Sequence, residues 1–345
     1  PTPPSPTEPT TLVDQKATAQ TRALFAHLKS YWSSGKTLFG AQIPTLFGID
    51  NWQYWGARNN VNTDKSDTKC LAGSHPAVCG WELAWIEKGS ERDVDGNYFS
   101  AVRNHIQAAY RRGAVNTISW HCCNPATDGN YNDSSVQDVI DRILPGGDLH
   151  NKFCGWMDKA ADFLASLTDD NGKPIPVIFR PWHEHTDRGR GSGFWWSVGN
   201  NSNDSYKKLW QMTYDYMTNT KGLHNLIWAY SPDLHHLCWD ETGYNKYVYA
   251  WAWPGDGYVD ILGLDGETVR DLRAKCAKKA GVPDLPDGYV RQLADKMKKH
   301  LGCAVRLTPG MTHQNGRHTK GVVEIDFFDN DDLDRIIRMI GVSVD

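Results

Sequence analysis

The residues of this chain that are best equipped for chemistry follow one another in a short stretch, Arg180-Pro181-Trp182-His183-Glu184. Three β-prone apolar residues, 177–179, come directly before it, as in a buried parallel strand whose carboxyl end opens into a site. A carboxyl group beside apolar rings keeps its proton more readily than one in water, and this suits it to acid catalysis. The aromatic run Phe194-Trp195-Trp196 follows, and flat rings of this kind stack on sugar rings. We therefore interpret the stretch as a site of carbohydrate chemistry in which Glu184 donates the proton.

Tryptophan is frequent throughout the chain, with 15 residues in 345. Many of these residues follow predicted strands: Trp120, Trp182, Trp195, Trp196, Trp251 and Trp253. A core has no need of indole rings at strand ends, whereas a sugar-binding cleft does, so we expect Trp195, Trp196 and Trp253 to bind substrate. A structural alternative stays open from the residues alone, in which Glu184 closes an ion-pair network at a strand end.

Composition and charge argue against nucleic acid, a membrane and a metal ion as partners of this chain. The formal net charge is −4 and the pI is near 6.4, so the chain offers no basic surface for nucleic acid. No run of about 18 apolar residues is present, so we expect no membrane span. The eight cysteines show no paired spacing for zinc, and we expect neither a metal nor a cofactor. A polysaccharide substrate needs none of these features, and we expect a monomer.

Cysteines and sequons favour secretion. Cys70 and Cys79 flank a loop rich in glycine, proline and serine, which suits a short disulfide-closed turn. Asn-x-Ser sequons begin at Asn132, Asn200 and Asn203, in polar stretches typical of loops. We therefore expect a secreted, disulfide-bonded protein.

The order of predicted elements indicates one domain. Residues 1–18 are predicted to be a Pro/Thr-rich linker or disordered terminus, of the kind that tethers a carbohydrate-binding module. Helices that end on glycine and lead at once into apolar strands recur after that point, as at Gly113 and Gly222. Eight strands are predicted: 37–42, 78–87, 115–121, 176–181, 225–233, 259–265, 304–308 and 322–328. This alternation predicts an α/β fold, a single (β/α)8 TIM barrel over residues 19–345, and the few residues between 308 and 321 predict an irregular last βα unit.

Several segments resemble glycoside hydrolase family 26, whose members are mostly secreted endo-β-1,4-mannanases with retaining chemistry on a (β/α)8 barrel. The resemblance covers about residues 21–265, and its segments stand in the family's order. They are Leu38-Phe39-Gly40-Ala41-Gln42, Ile118-Ser119-Trp120-His121 with Asn124-Pro125, Arg180-Pro181-Trp182-His183-Glu184, Phe194-Trp195-Trp196, Ile227-Trp228-Ala229-Tyr230-Ser231-Pro232, and the run from Trp253 to Asp265.

The resemblance implies roles for individual residues. Glu184 matches the family's acid/base and His183 the histidine that precedes it. Three further residues match positions near the −1 and +1 sugars: Arg180, Trp195 and Asp265. From its own place at the end of the third predicted strand, beside Trp120, we expect His121 to line the −1 subsite.

The resemblance breaks at the nucleophile. Family members carry it in a Leu-Thr-Glu-x-Gly segment, whereas this chain has Leu307-Thr308-Pro309-Gly310, and proline has no nucleophilic group. Three glutamates follow Glu184, namely Glu241, Glu267 and Glu324. We select Glu324 as the substitute because it lies in a β-rich run near the end of the chain, although a salt-bridged strand residue is the competing interpretation.

Four functions remain open at this point. The first is a retaining endo-mannanase acting on mannan, galactomannan or glucomannan. A second is an inactive glycan-binding barrel, which Pro309 favours. A β-1,3-xylanase or mixed-linkage glucanase of the same family is a third, and a metal-dependent hydrolase using His121 with the pair at residues 235 and 236 is a poor fourth, since those histidines lack a metal-binding spacing.

Overall fold

The structure is a computed structural model that describes residues 11–50, 53–56, 62–187, 189–233, 249–266, 282–283, 287–312 and 318–342. The chain divides into two compact units, residues 1–266 and residues 267–345. The sequence predicted one domain over residues 19–345. This single domain remains a prediction beside the two compact units.

The first unit begins with a segment that packs on its core. Leu12 and Ala17 lie in the predicted linker, yet both are buried, in a cluster with Ile227. The main-chain N–H of Val13 donates to Asp260 Oδ1 at 2.7 Å. Residues 12–17 therefore belong to the folded unit and not to a linker, because their apolar side chains and main-chain donors find partners there.

A six-stranded parallel sheet forms the centre of the first unit. Its strands neighbour one another in chain order: β1 (Gly40–Gln42), β4 (Val78–Glu82), β5 (Val115–Trp120), β6 (Val177–Pro181), β7 (Leu226–Tyr230) and β8 (Ile261–Leu262). A short antiparallel hairpin, β2 (Phe47–Asp50) and β3 (Gln53–Gly56), follows β1. The order is that of the first six strands of the predicted barrel.

Helices precede the strands of this sheet. They are α1 (Ala19–Ser33), α2 (Asp67–Ala72), α3 (Phe99–Arg111), α4 (Val139–Ile143), α5 (His150–Ala165) and α6 (Asn203–Asp215), with a π-helical turn (Tyr216–Thr220) after α6 and 3-10 turns at Ile86–Lys88 and Asp256–Tyr258. Gly113 and Gly222 have the positive φ values of 81° and 68° that end a helix. The predicted glycine stops before β5 and β7 are therefore confirmed.

The second unit contains the last two predicted strands, and they do not extend the six-stranded sheet. β10 (Val305–Thr308) pairs antiparallel with β13 (Val322–Ile325), with Thr308 opposite Val322. The other elements of this unit are α7 (Asp287–Leu301), β9 (Val282–Pro283), β11 (Met311–Thr312), β12 (His318–Thr319) and α8 (Asn330–Met339). The prediction of these strands as parallel barrel strands is wrong, because a hairpin-like antiparallel pair needs no crossover helix.

Two features that favoured secretion, a disulfide and a glycosylation sequon, differ from expectation. Cys70 and Cys79 are both free, so the predicted disulfide is not formed; Cys79 is buried, and burial raises the pKa of its thiol to about 11. Asn200 is buried, and its side-chain amide donates to the carbonyls of Ser192 and Phe194, so this sequon does not present a free surface amide. In the part of the chain that is described, no helix has the length and apolar character to span a membrane.

Candidate active site

Strand register brings the chemically active residues to one edge of the sheet. Glu82 on β4 pairs with Ser119 on β5, and Ser119 pairs with Arg180 on β6, so these side chains lie at one level. His121 and Glu184 follow directly beyond the carboxyl ends of β5 and β6. Carboxyl ends of parallel strands are where α/β barrels place their active sites.

The chain turns sharply as it leaves β6. Trp182 and Glu184 both have φ of 53°, a left-handed conformation that costs a non-glycine residue on the order of 1–3 kcal/mol and persists only where contacts enforce it. Tyr206 Oη donates to the carbonyl of Trp182 at 2.7 Å, and Trp196 Nε1 donates to the carbonyl of His183 at 2.9 Å. The main-chain N–H of Glu184 donates to the Ser231 carbonyl at 2.9 Å. The surrounding structure thus fixes where the Glu184 carboxyl emerges.

Trp195 and Trp196 do not form walls of an open cleft. Both side chains are fully buried, and Trp195 Nε1 donates to the carbonyl of Cys122 at 2.8 Å. Their rings pack against Trp182, with centroids 5.8 and 5.7 Å away. Because both rings are buried, the structure gives no support to the prediction that these two indoles stack on sugar; they pack instead against Trp182, in the turn that carries Glu184.

Glu184 has the environment of an acid. It is half-buried, and burial raises the pKa of its carboxyl. The negative charges of Asp265 and Asp233 raise this pKa further, while the positive charges of Arg180 and His121 lower it; the net pKa is raised. A raised pKa keeps the proton on the carboxyl closer to neutral pH, which a proton donor requires.

Arg180 and Asp265 form an ion pair beside this acid. Arg180 Nη1 donates to Asp265 Oδ2 at 2.5 Å, and both side chains are mostly buried. Burial raises the pKa of Asp265, and Arg180 and a hydrogen bond from Ser231 oppose that effect. The two residues therefore lie together, and their predicted place near the −1 and +1 sugars remains a prediction.

His121 and His183 also meet at the site. His121 Nε2 lies 3.1 Å from His183 Nε2, and His121 Nδ1 lies 2.8 Å from Glu82 Oε2. Burial lowers the pKa of both rings, but the hydrogen bond and charge of Glu82 outweigh burial at His121, whose pKa is raised. At His183, Arg180 and His121 add to the effect of burial, and its pKa lies well below the usual value.

Half-exposed aromatic rings border these histidines. Tyr131 and Phe194 have ring centroids 4.8 and 5.4 Å from that of His121.

Trp253 is half-buried, and its Nε1 donates to Asp256 Oδ1 at 2.9 Å. Trp253 therefore keeps part of its ring available, in contrast to Trp195 and Trp196.

Glu324 has a different setting in the second unit. It lies exposed on β13, and Arg306 Nε donates to its Oε2 at 3.0 Å. Arg306 also binds Asp326. These contacts fit the competing interpretation of Glu324 as a salt-bridged strand residue and give no support to the nucleophile role. Glu241, Glu267 and the histidine pair at residues 235 and 236 lie outside the described residues.

Glu82, Tyr131 and Asp233 lie at the site but were not predicted from the sequence. Glu82 lies within the predicted strand 78–87, and a carboxyl group inside a largely apolar run was the available signal. Tyr131 lies in a loop, where sequence pattern alone does not show which residues meet, whereas Asp233 is the last residue of the predicted strand 225–233. Asp233 reaches the site because it bridges to Asp265 in parallel register.

Comparison with known proteins gives a consistent result. A model of glycosyl hydrolase family 26 matches residues 13–275. A mannan endo-1,4-beta-mannosidase of Bifidobacterium adolescentis is 35% identical over 261 residues, which are 73% of this chain and 23% of that protein. One of Bacillus subtilis strain 168 is 32% identical over 207 residues, 57% of this chain and 52% of the relative. The chain thus spans between about a quarter and about half of the length of these relatives.

Solved structures agree. A GH26 beta-mannanase from Bacteroides ovatus superposes with a TM-score of 0.66 and 34% identity, covering 82% of this chain and 74% of that one. A modular endo-beta-1,4-mannanase from Cellulomonas fimi gives 0.64 and 31%, covering 84% and 59%. The predicted α/β fold of the barrel class is confirmed. Since the family model matches well over half of the sequence and spans the Glu184 site, the chain belongs to glycosyl hydrolase family 26.

Proposed function

We propose that the protein is an endo-acting glycoside hydrolase that cleaves β-1,4-mannosidic linkages in mannan, galactomannan or glucomannan. The observation that carries this proposal is Glu184, a half-buried carboxyl with a raised pKa at the carboxyl end of β6, inside the segment that matches the family. The relatives named above as mannan endo-1,4-beta-mannosidases support the substrate class.

The mechanism follows from the charges around Glu184. In its protonated form Glu184 gives its proton to the glycosidic oxygen as the bond to the sugar breaks, and the Arg180–Asp265 pair lies beside it to bind hydroxyl groups. In a retaining reaction a second carboxylate attacks the anomeric carbon, and the ionised Glu184 then takes a proton from water. The sequence suggested Glu324 as this second carboxylate, but its exposed salt bridge with Arg306 does not support that role, and the proposal assigns no residue to it.

The test uses four polysaccharides. Galactomannan and glucomannan should release reducing ends and lose viscosity, as internal cleavage requires, whereas β-1,3-xylan and lichenan should not. Cleavage of either of the last two instead would replace mannan as the substrate. Proton NMR of the first product should show the β-anomer, since retention is proposed; an initial α-anomer would overturn the double displacement.

A glycan-binding barrel without hydrolysis is the second candidate. It is favoured by Pro309, which stands where the family's nucleophile is expected, and by the family match, which ends at residue 275 before that segment. Retarded migration in a galactomannan gel without release of reducing ends would establish this function and exclude the first.

Secretion, a monomeric state and tethering to a carbohydrate-binding module belong to the proposal; a secreted form would be found in culture supernatant.

A further inference from the structure

Glu82 is a buried carboxylate that the proposed reaction does not use. Its Oε1 accepts hydrogen bonds from the main-chain N–H groups of Leu83, Ala84 and His121 at 2.9, 2.8 and 2.7 Å. Its Oε2 accepts from Ser119 Oγ at 2.7 Å and lies 2.8 Å from His121 Nδ1. A carboxylate with this many donors is held in its ionised form and in one orientation.

The position of the proton on His121 Nδ1 follows from this contact. An ionised carboxylate only accepts hydrogen bonds, so His121 Nδ1 must carry hydrogen. Burial raises the pKa of Glu82, but the hydrogen bond and charge of His121 and the hydrogen bond from Ser119 outweigh it, and the net pKa is lowered.

The other ring nitrogen poses a choice between two arrangements. Across the 3.1 Å contact between His121 Nε2 and His183 Nε2, one nitrogen donates and the other accepts. If His121 donates, it is an imidazolium and His183 is neutral with hydrogen on Nδ1. If His183 donates, both rings are neutral.

The surrounding charges favour the first arrangement. His121 faces two carboxylates, Glu82 and Glu184, against one cation, Arg180. His183 is fully buried, and the charged neighbours that affect it most are the bases Arg180 and His121. A positive charge is therefore better placed on His121, whose ring also contacts that of Tyr131 among the residues that the structure describes.

We propose that Glu82 is a positioning residue that holds His121 as an imidazolium, with Nδ1–H donated to Glu82 and Nε2–H donated to His183. His121 then acts on Glu184 as a fixed positive charge and not as a proton donor or acceptor. This charge opposes the effects of burial, Asp265 and Asp233 on the acid, and so limits how far the pKa of Glu184 rises. The effect on Glu184 during turnover rests on the proposed function, whereas the state of His121 does not.

Glu82→Gln separates charge from shape. The glutamine Oε1 can accept the same three main-chain N–H groups, while its amide nitrogen faces His121 Nδ1 and donates to it. His121 should then become neutral, with its hydrogen on Nε2. Ser119→Ala is the matched control, because it removes one hydrogen bond to the same Oε2 atom without removing the charge.

Nitrogen-15 NMR of histidine side chains tests the state of His121 without any substrate. His121 is assigned from the signals that disappear in His121→Gln. In the wild-type protein both His121 nitrogens should give imidazolium shifts at about pH 7, where an ordinary histidine is mostly neutral. Ser119→Ala should keep these shifts and Glu82→Gln should lose them. A neutral His121 in the wild-type protein, or an imidazolium that persists in folded Glu82→Gln, would overturn the proposal; if that variant does not fold, the wild-type measurement alone decides.

The pH dependence of hydrolysis gives the second readout. With the fixed charge removed, the pKa of Glu184 rises, so the alkaline limb of kcat/KM in Glu82→Gln should move to higher pH. A purely structural role would lower kcat/KM without moving this limb, and that result would overturn the electrostatic effect on Glu184. If the wild-type protein hydrolyses none of these polysaccharides, the proposed function is wrong. The NMR measurement still decides the protonation state of His121, because it needs no substrate.

Discussion

Glu184 follows the end of β6 and Glu324 lies within β13, and the two glutamates differ in burial and in the charges around them. Glu184 is half-buried, on a strained turn fixed by buried aromatic residues, with a raised pKa. Glu324 is exposed on an antiparallel strand and binds Arg306. Burial and neighbouring charge, and not the presence of a carboxyl group near a β-strand, distinguish the proposed proton donor from a surface salt bridge.

The largest expected difference is in turnover. Glu184→Gln removes the proposed proton donor but keeps the shape of the side chain, so kcat on mannan should fall on the order of 10³-fold while substrate affinity is kept. Glu324→Gln is the matched variant and should retain activity within about twofold, because surface ion pairs contribute little. A loss in Glu324→Gln equal to that in Glu184→Gln would restore Glu324 as the nucleophile and break the comparison.

The second prediction concerns pH. Asp265 raises the pKa of Glu184, so Asp265→Asn should lower that pKa, and the Arg180 charge left without its partner acts in the same direction. Glu184 must be protonated to act, and its protonated fraction is lost as pH rises through its pKa. The alkaline limb of kcat/KM in Asp265→Asn should therefore move to lower pH. The exposed Asp204→Asn should leave it in place, and an unmoved limb in Asp265→Asn would contradict the assigned electrostatics.

The third prediction separates buried from half-exposed indoles. Trp196→Phe leaves the buried carbonyl of His183 without its donor, so the free energy of unfolding should fall by about 1–3 kcal/mol. Trp253→Phe loses a hydrogen bond at the surface and keeps an aromatic ring against Tyr230, so it should lower the free energy of unfolding by less than Trp196→Phe does. Chemical denaturation measures both values. Equal effects would show that Trp196 does not support the Glu184 turn.

The smallest expected effect is on stability in the second unit. Because Arg306 and Glu324 are both exposed, solvent screens their ion pair, and Glu324→Gln should leave the unfolding midpoint unchanged. Thermal unfolding followed by circular dichroism measures this midpoint. A clear fall would mean that Glu324 makes a structural contribution beyond a surface salt bridge.

Local signals in the sequence were sufficient for much of the fold. Helix stops at Gly113 and Gly222 and the apolar runs behind them predicted β5 and β7 correctly, because these signals depend on neighbouring residues only. The antiparallel pairing of β10 with β13 was missed, since pairing direction depends on contacts distant in sequence. The residue types of β10 and β13 are compatible with both parallel and antiparallel pairing.

For the site, the sequence identified several of the residues but not which of them are buried. Glu184, Arg180 and Asp265 were singled out through the family resemblance, and in the structure Arg180 pairs with Asp265 while the charges of both act on Glu184. The buried state of Trp195 and Trp196 was not predicted, because whether a ring faces a cleft or the core depends on the tertiary structure around it. Glu82 was missed for the same reason: its five donors come from two strands and their loops.

Direct titration of the Glu184 carboxyl tests the central claim most closely. Carbon-13 NMR of the free protein, labelled at glutamate side-chain carboxyls and assigned with Glu184→Gln, follows this group without substrate. The account predicts a midpoint clearly above the ordinary value for glutamate of about 4.3. A midpoint at or below that value would contradict the assignment of Glu184 as the proton donor.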